Sequence, residues 1–284
     1  ISNEAALLES KKNRIHTIIP VHFAGYPADM KYISNNFKNK SIIIEDAAHA
    51  LGAKYSDGSM VGSCKYSDMC VFSFHPVKLI ASGEGGIVTT NDKSIYKELL
   101  KLRSHGINKL DETLVNKNLA YDKNNEQNIW YYEMQKLGYH YRLTDIQSSL
   151  AISQLKKIKK FLNKRLLLSN RYVKLLKKFK NCQPSQNINY NYSANHLFVI
   201  KINFENLSFS GNDLMIKLRN LNIGSQVHYL PIFLQPFYKK FKFNHKYFPN
   251  SINYYNSCLS LPLYYDLQYS EQDYIIEKIY ELIG

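Results

Sequence analysis

The sequence predicts an α/β protein, with a helix-covered sheet in a large first domain and a smaller α+β domain after it. Three observations support this prediction. The short apolar runs of the first half are continuous and not alternating, which is typical of strands buried on both faces. Helical or glycine-rich connections separate these runs, and a long helical pattern begins near Thr144. For this chain of 284 residues we expect domains of residues 1–165 and 166–284.

The predicted strands of the first half lie between turn-rich connections. A helix is expected to open near residues 27–29, after the first strand. A second helix is expected after Asn91 and Asp92, either of which could cap it, and it runs toward Leu102. The predicted strands comprise residues 17–23, 41–46, 69–74 and 86–90. This order of strands and connections is typical of the sheet of an α/β domain.

The second half begins with a segment of different composition. Residues 108–130 are polar, rich in Asn and Lys, and without a clear period, which predicts a long loop. Loops of that length in compact enzymes are often functional. Helical spacing then extends from Thr144 to Tyr172. A strand at residues 196–200 and a helix at residues 211–220 predict the smaller α+β domain.

The formal net charge of +14 raises the question of a nucleic acid partner. The lysines cluster at helical spacing in residues 156–160 and 177–180, which is typical of a solvated helix face. No recognised nucleic-acid-binding motif is present, so we expect a basic surface that attracts an anionic small substrate and no nucleic acid partner. No apolar stretch is long enough to cross a bilayer, so we expect no membrane partner.

The cysteines indicate the redox setting of the protein. They form no CxxC pair and no Cys/His cluster with metal-ligand spacing, so we expect free thiols and no metal site. Cys70 lies in an apolar run and is expected in the core. The four cysteines are Cys64, Cys70, Cys182 and Cys258. This use of cysteine predicts a cytoplasmic protein.

Two candidate functional residues follow predicted strands, where ligands bind in open α/β sheets. Asp46 comes after three isoleucines and would be poorly solvated, so it needs a donor or cationic partner; the alternative is a helix N-cap. Lys78 stands between apolar segments, where burial would lower its pKa and make it a usable amine nucleophile. The glycine-rich residues 82–86 could bring backbone N–H groups to a phosphate. The alternative is a surface lysine beside an ordinary turn.

A series of motifs in this order resembles the DegT/DnrJ/EryC1/StrS family of sugar aminotransferases. The motifs are spread over nearly the whole chain, so coincidence is not expected. They are residues 45–50 (EDAAHA), 72–78 (FSFHPVK), 83–86 (GEGG), 103–106 (RSHG), 138–147 (GYHYRLTDIQ), 227–231 (VHYLP) and 261–264 (LPLY). The resemblance implies a fold-type I enzyme that depends on pyridoxal 5′-phosphate (PLP). It also implies a homodimer with shared active sites.

The resemblance also implies roles for the residues at the strand ends. Lys78 is the expected catalytic residue, which holds PLP as a Schiff base and moves the proton during the reaction. Asp46 is expected to pair with the pyridine nitrogen and keep it protonated, which makes the ring a better electron sink. His49 is expected to contact the ring or its phenolic oxygen. Ser73 is expected to donate to the phosphate.

Other implied contacts come from later in the chain. Family members commonly have Asn at the place of His140, where it reaches the phosphate of the partner subunit. Histidine can also donate a hydrogen bond but is bulkier, and the alternative is a ring packed against neighbouring tyrosines. Gln226, His228 and Tyr229 match a segment that contacts the nucleotide-sugar, although Tyr229 could also be a core residue.

The implied reaction moves an amino group from glutamate to C4 of a UDP-linked 4-keto-6-deoxy-N-acetylhexosamine. The strings SFHPVK, RSHGI and QVHY suggest the branch of the family that serves pseudaminic acid biosynthesis. One alternative is a PLP-dependent sugar dehydratase or lyase. The dehydratase branch has histidine in place of the Schiff-base lysine, so the presence of Lys78 favours transfer. A second alternative is a truncated, non-catalytic chain.

The beginning of the chain differs from the family pattern. Residues 1–4 contain no Met and no features of a signal peptide. The family pattern begins roughly a hundred residues further upstream, a length that corresponds to about one domain of strands and helices. We therefore expect a large domain that is incomplete at its N terminus. Backbone donors to the phosphate, an aromatic ring over the cofactor and part of the sugar site would come from that region.

Overall fold

The computed structural model describes residues 3–12, 14–109, 113–186, 188–242 and 244–283. Its first half is organised around a four-stranded sheet in which the strands follow their chain order. The first three strands are parallel and the fourth is antiparallel to the third. They are β1 (Thr17–Ile18), β2 (Ile42–Asp46), β3 (Met69–Ser73) and β4 (Gly86–Thr89). The prediction of an α/β fold is therefore confirmed.

Aspartate side chains satisfy free N–H groups at the starts of two of the first three helices. The three helices are α1 (Asn3–Lys12), α2 (Met30–Phe37) and α3 (Lys93–Arg103). The Asp29 side chain accepts a hydrogen bond from the N–H of Tyr32 at the start of α2. Asp92 accepts from the N–H groups of Ser94 and Ile95 at the start of α3, which stabilises the helix as an N-cap does. The sequence thus predicted both helix starts closely.

The first predicted strand is shorter than the apolar run that indicated it. Only Thr17 and Ile18 pair along β2, and Val21 then forms a single bridge to Asp46. Pro20 has no N–H to donate to a ladder, which limits the pairing. The chain turns into a 3₁₀ helix at Phe23–Gly25, and Gly25 has a φ of +100°. This turn packs against the second half of the chain and does not extend the sheet.

The described residues of this segment, 108–109 and 113–130, form a long excursion, as predicted, with a small core of their own. β5 (Ile107–Asn108) pairs with β6 (Glu133–Met134), and α4 (Lys117–Ala120) lies between them. Leu114, Ala120 and Tyr131 are buried together in this segment. Side-chain packing therefore stabilises this part of the excursion.

The long helical pattern divides into α5 (Asp145–Leu155) and α6 (Ile158–Leu176). Thr144 begins α5 with a capping box, because its hydroxyl accepts from the N–H of Gln147 while the Gln147 side chain accepts from the N–H of Thr144. The break at residues 156–157 was not predicted. It separates α5, which buries no residue fully, from α6, which packs deeply.

Helix α6 contributes to both hydrophobic cores of the molecule. Phe161 and Leu162 pack against the core of the first sheet. Leu168, Tyr172 and Leu176 are buried in a second core. The proposed division at residues 165 and 166 falls inside this helix and remains a prediction.

A three-stranded antiparallel sheet, in the order β7-β8-β9, carries the second core. Its strands are β7 (Cys182–Pro184), β8 (Phe198–Ile202) and β9 (Cys258–Leu261). The helices around it are α7 (Gly211–Asn220), α8 (Pro249–Ser257) and α9 (Tyr269–Ile283). The strand predicted at 196–200 begins two residues later, and the helix predicted at 211–220 is confirmed.

The surface lysines and the cysteines lie where the composition predicts them. The lysines of residues 156–160 and 177–180 are exposed, so they form solvated faces as expected. All four cysteines are free and buried, and Cys70 is in the core. Within the ranges described, no helix combines the length and the apolar character of a membrane span.

Candidate active site

Asp46 lies at the end of β2, at the edge of the sheet where β2 and β3 both finish. Its main chain is fixed by hydrogen bonds from its N–H to the carbonyl of Pro20 (2.9 Å) and from the N–H of His22 to its carbonyl (3.0 Å). The Asp46 carboxylate accepts from the N–H of Ala48 at 3.0 Å. Residues 47–52 form turns and not a helix, so the helix N-cap alternative is wrong.

Lys78 lies in the turn after β3, where its N–H donates to the carbonyl of His75 at 2.9 Å. Its side chain is partly buried. Burial lowers the pKa of the Lys78 ammonium below its ordinary value, and the carboxylate of Asp46 offsets part of this effect. Lys78 is therefore not an ordinary exposed lysine, and it lies within electrostatic range of Asp46.

Two buried histidines lie next to this pair. The rings of His49 and His196 are 4.5 Å apart between centroids. Burial, with a further contribution from the charge of Lys78, lowers the pKa of His49 to about 4. Burial and the neighbouring His49 lower the pKa of His196 to about 2. Both imidazoles are therefore neutral near pH 7.

The segment of Gln226, His228 and Tyr229 brings the second half of the chain to the site. Its main chain pairs with Ser260 of β9 through Gln226, and Nδ1 of His228 lies 2.7 Å from the Ser260 hydroxyl. Burial and the charge of Lys78 lower the pKa of His228. The Tyr229 hydroxyl is 3.3 Å from Nε2 of His49. His228 and Tyr229 thus lie beside the strand-end residues.

Tyr229 is not a core residue, because 52% of it is exposed. Burial of its hydroxyl end and the charge of Asp46 raise the pKa of Tyr229. Gln226 is exposed, and its side-chain oxygen accepts from the N–H of Val227 at 2.9 Å. The structure therefore brings His228 and Tyr229 to the group around Lys78, with Gln226 further out along the same segment.

Ser73 and His140 occupy different surroundings. Ser73 ends β3 two residues beyond Val71, the register partner of Asp46, and its hydroxyl accepts from the N–H of His75 at 3.3 Å. Ser73 thus lies at the same sheet edge as Asp46. His140 is exposed and its ring lies 5.4 Å from that of His105. His140 therefore faces outward and does not stack between its tyrosine neighbours, which stack on each other.

Sequence reasoning missed His196 as a site residue. Its main chain is held by Nη1 of Arg165, which donates to the carbonyls of Asn195, His196 and Leu263 at 2.9 to 3.2 Å. Arg165 is itself buried, and burial lowers its pKa to about 10. The only sequence signal was a histidine before an apolar strand, which does not indicate a contact with His49.

Phe23 is a second residue that sequence reasoning missed. Its ring lies 6.3 Å from the ring of His49 and 6.4 Å from that of Tyr229. The neighbouring Gly25 leaves no room for a side chain, because a Cβ there would lie 3.0 Å from the carbonyl oxygen of His49 and from the backbone nitrogen of His196. The turn after β1 therefore holds the two halves of the site together.

The profile of the DegT/DnrJ/EryC1/StrS aminotransferase family matches residues 4–280. The chain belongs to this family. Its fold is that of the family's aminotransferases, which depend on PLP. The expectations of this family, its fold and PLP as its cofactor are confirmed.

Two curated relatives illustrate the similarity. The protein MJ1066 of Methanocaldococcus jannaschii is 36% identical over 253 residues, which cover 88% of this chain and 62% of that protein. The UDP-4-amino-4,6-dideoxy-N-acetyl-beta-L-altrosamine transaminase of Campylobacter jejuni is 34% identical over 281 residues, which cover 99% of this chain and 69% of that enzyme. The chain thus spans about two thirds of the length of these relatives.

Solved structures of the family superpose on nearly all of the chain. Helicobacter pylori PseC, an aminotransferase of pseudaminic acid biosynthesis, gives a TM-score of 0.84 at 27% identity and covers 100% of this chain and 72% of its own. The PLP form of the sugar aminotransferase Spr1654 from Streptococcus pneumoniae gives 0.78 at 27% identity, with 94% of this chain and 68% of its own covered.

Proposed function

We propose that this chain carries the lysine, the acid and the sugar-contacting segment of a PLP-dependent nucleotide-sugar aminotransferase. The observation that carries the proposal is the placement of Lys78, with its lowered pKa, in electrostatic range of Asp46 at the strand ends. A lysine amine with a lowered pKa is a good nucleophile toward an aldehyde. Family membership supplies the second support.

The donor set of the site fits PLP. An amine suits its aldehyde, a carboxylate suits its ring nitrogen, and the Ser73 hydroxyl with nearby backbone N–H groups suits its phosphate. Nδ1 of His49 is buried and has no hydrogen-bond partner among the residues described. Leaving such an atom unpaired costs about 1–3 kcal/mol, and a cofactor oxygen could satisfy it.

In this proposal each residue of the site has its own role in binding or proton transfer. When bound, PLP supplies an electron sink for negative charge that develops at the substrate carbon. Lys78 would hold the cofactor through Nζ, and once an incoming amine has replaced it there, the freed Nζ would take a proton from the substrate carbon and return one. Asp46 holds a proton on the ring nitrogen. His49, neutral near pH 7, orients the ring without competing for that proton.

Substrate contacts come from the opposite side of the site. His228 and Tyr229 lie next to His49 and Lys78, where they could orient a sugar, and Gln226 lies further out on the same segment. We propose glutamate as the amino donor and a UDP-linked 4-keto-6-deoxy-N-acetylhexosamine as the acceptor, as in the pseudaminic acid branch. The Campylobacter jejuni relative and Helicobacter pylori PseC support this choice. We also propose a cytoplasmic location for the reaction.

The first experiment asks whether Lys78 binds PLP. Purified protein mixed with PLP should develop a visible absorption band that survives gel filtration and is lost in Lys78→Ala. Lys97→Ala, at an exposed lysine of α3, is the matched control and should keep the band. Retention of the band by Lys78→Ala, or its absence from the unsubstituted protein, would overturn the proposal.

A second experiment tests the reaction. Protein loaded with PLP should release more than one equivalent of 2-oxoglutarate per site from glutamate only when a UDP-linked 4-keto sugar is present to accept the amine. The UDP-4-amino sugar product is measured by mass spectrometry. The 4-hydroxy sugar has no carbonyl to accept the amine, so it should give no product. Loss of water from the sugar without amine incorporation would identify a dehydratase instead.

We also propose a homodimer with shared active sites. The exposed, outward-facing position of His140 supports it, as do the exposed apolar residues near it. These include Leu137, Tyr139, Tyr141 and Ile146. In a closed two-fold dimer this face would be buried against its own copy, and His140 would reach the partner's site.

Hybrid dimers test this sharing. Lys78→Ala and His140→Ala should each be inactive alone, whereas an equal mixture refolded together should regain about a quarter of the activity. The fraction follows because half of the dimers are hybrid and each hybrid has one intact site. A mixture that stays inactive while forming dimers by light scattering would contradict shared sites.

A further inference from the structure

Glu45 precedes Asp46 on β2 and points to the other side of the sheet. Successive residues of a strand alternate between faces, and the side chain of Glu45 is fully buried while Asp46 is only partly buried. A buried carboxylate is costly unless it is hydrogen-bonded. A buried carboxylate next to Asp46 in the chain, on the opposite face of the strand, therefore needs hydrogen-bond donors.

Three side chains donate hydrogen bonds to this carboxylate. Nε2 of His22 lies 2.6 Å and the hydroxyl of Tyr55 lies 2.5 Å from its Oε2, and the hydroxyl of Ser67 donates to its Oε1. Burial alone would raise the pKa of Glu45, but these hydrogen bonds outweigh it and lower the pKa below the ordinary value. Glu45 is therefore ionised in the interior.

The tautomer of His22 follows from its second contact. Its Nδ1 accepts a hydrogen bond from the N–H of Ala28 at 3.0 Å, so its proton is on Nε2 and is donated to Glu45. The ring of His22 thus connects Glu45 to both ends of the turn at residues 23–27. That turn carries Phe23, which packs on His49 and Tyr229.

The same carboxylate joins two segments that adjoin β2 near Asp46. His22 comes from the exit of β1, and Tyr55 and Ser67 come from the connection between β2 and β3. Main-chain hydrogen bonds connect the same strand ends. The N–H of His22 donates to the carbonyl of Asp46, and the N–H of Ala47 donates to the carbonyl of Val71. Movement of Glu45 would therefore be transmitted to Asp46.

We propose that Glu45, through its hydrogen bonds to His22, Tyr55 and Ser67, is a positioning residue that fixes the orientation of the Asp46 carboxylate toward Lys78 and the cofactor ring. The inference rests on the proposed function where it refers to the cofactor. The part of the inference that connects Glu45 to Asp46 and Lys78 does not depend on the cofactor.

The substitution that tests this is Glu45→Gln. Glutamine has nearly the same size but replaces one oxygen with an NH₂ group, so at least one of the three donors loses its acceptor. Asp46 raises the pKa of Lys78 in the folded protein. If Asp46 is displaced, the neutral amine of Lys78 should become available at lower pH.

The first readout needs no cofactor. Labelling of Lys78 by trinitrobenzenesulfonate, quantified by mass spectrometry over a pH series, should shift to lower pH in Glu45→Gln, as in Asp46→Asn. The double variant Glu45→Gln/Asp46→Asn should show no shift beyond that of Asp46→Asn. A full additional shift in the double variant, or none in Glu45→Gln, would overturn the positioning role.

The second readout is the Kd for PLP from absorbance titration. We expect about a tenfold increase in Glu45→Gln, in keeping with a loss comparable to one charge-assisted hydrogen bond. Tyr172→Phe is the matched control, since it removes a buried hydroxyl that donates to the carbonyl of Pro262 in the second core. Tyr172→Phe should lower stability and leave both readouts unchanged.

The outcomes separate the two proposals. Equal changes in Lys78 labelling and in the Kd for PLP in Glu45→Gln and Tyr172→Phe would show that Glu45 only stabilises the fold. A shift in Lys78 labelling without PLP binding by any form would support the positioning role and overturn the proposed function. If Glu45→Gln does not fold, Tyr55→Phe and Ser67→Ala each remove one donor, and labelling of Lys78 unchanged in both overturns the inference.

Discussion

The hydroxyl of Tyr229 lies 3.3 Å from Nε2 of His49, so a side chain beside β9 contacts the turn that follows β2. Through this contact, a segment of the second half of the chain completes the surroundings of Asp46 and Lys78. Removing the hydroxyl should therefore affect the site more than the stability of the fold.

Tyr229→Phe should lower the affinity for PLP about threefold, because His49 loses the contact that orients its ring. The cost in stability should be about 0.5 kcal/mol, since the residue is half exposed and the hydrogen bond is long. Tyr274→Phe is a close control: its hydroxyl donates to the carbonyl of Leu221, also at 3.3 Å, and it is 42% exposed. Equal PLP affinities for the two variants would contradict this role of Tyr229.

Asp46→Asn should shift the labelling of Lys78 by trinitrobenzenesulfonate to lower pH. The carboxylate raises the pKa of Lys78 and so opposes the effect of burial; without it, burial acts alone. Because the pair is partly solvated, the carboxylate offsets only part of the effect of burial. Lys97 in the same digest serves as an exposed reference whose profile should not move. A shift of Lys78 to higher pH would show that the two groups do not interact as described.

The free energy of unfolding should fall as the pH drops below about 6.5. His49 and His196 are held neutral in the folded protein, with pKa values of about 4 and about 2, whereas in the unfolded chain they take up protons near 6.5. The unfolded state therefore binds more protons between about pH 6.5 and 4, and stability is lost as the pH falls through that window.

Urea unfolding at a series of pH values measures this slope. His196→Gln should reduce it by roughly 1 kcal/mol per pH unit, since one such histidine is removed. His16→Gln, at an exposed histidine, should leave the slope unchanged. A slope unaffected by His196→Gln would mean that this histidine is not kept neutral by the fold.

Gly25→Ala should destabilise the protein more than a comparable substitution at another glycine. A Cβ at Gly25 would sit 3.0 Å from three backbone atoms, and the φ of +100° adds strain. Gly58 also has a positive φ, of +84°, but a Cβ there meets nothing within 4 Å. We expect about 1 kcal/mol of lost stability for Gly58→Ala and about 3 kcal/mol for Gly25→Ala in urea unfolding. Similar losses in both would contradict the close approach at Gly25.

Local signals predicted much of the fold. Apolar runs indicated the strands, and the polar residues Asp29, Asp92 and Thr144 marked helix starts, because caps act over three or four residues. The break between α5 and α6 was missed, since the helical spacing of apolar residues continues across it. The two helices differ in burial, since α5 buries no residue fully and α6 packs deeply, and no local pattern contains that difference.

The sequence predicted those site residues that combine a reactive side chain with a position after a predicted strand, as Asp46 and Lys78 do. Ring contacts such as His49 with His196 depend on how the turn after β2 meets the start of β8. The same is true of the hydrogen bond between His22, which follows β1, and Glu45 of β2. Such pairs are far apart in the chain, and neither partner has an unusual sequence context.

Helix α6 gives the protein a shared structural element, since its first turns belong to one core and its last turns to the other. If either half released this helix, the apolar side chains that it covers would be exposed while the other half still held the rest of the helix. Backbone amides near Arg165 should therefore exchange with deuterium only when the whole molecule opens. The boundary between the halves would be among the slowest-exchanging parts of the chain, where a flexible linker would exchange fastest.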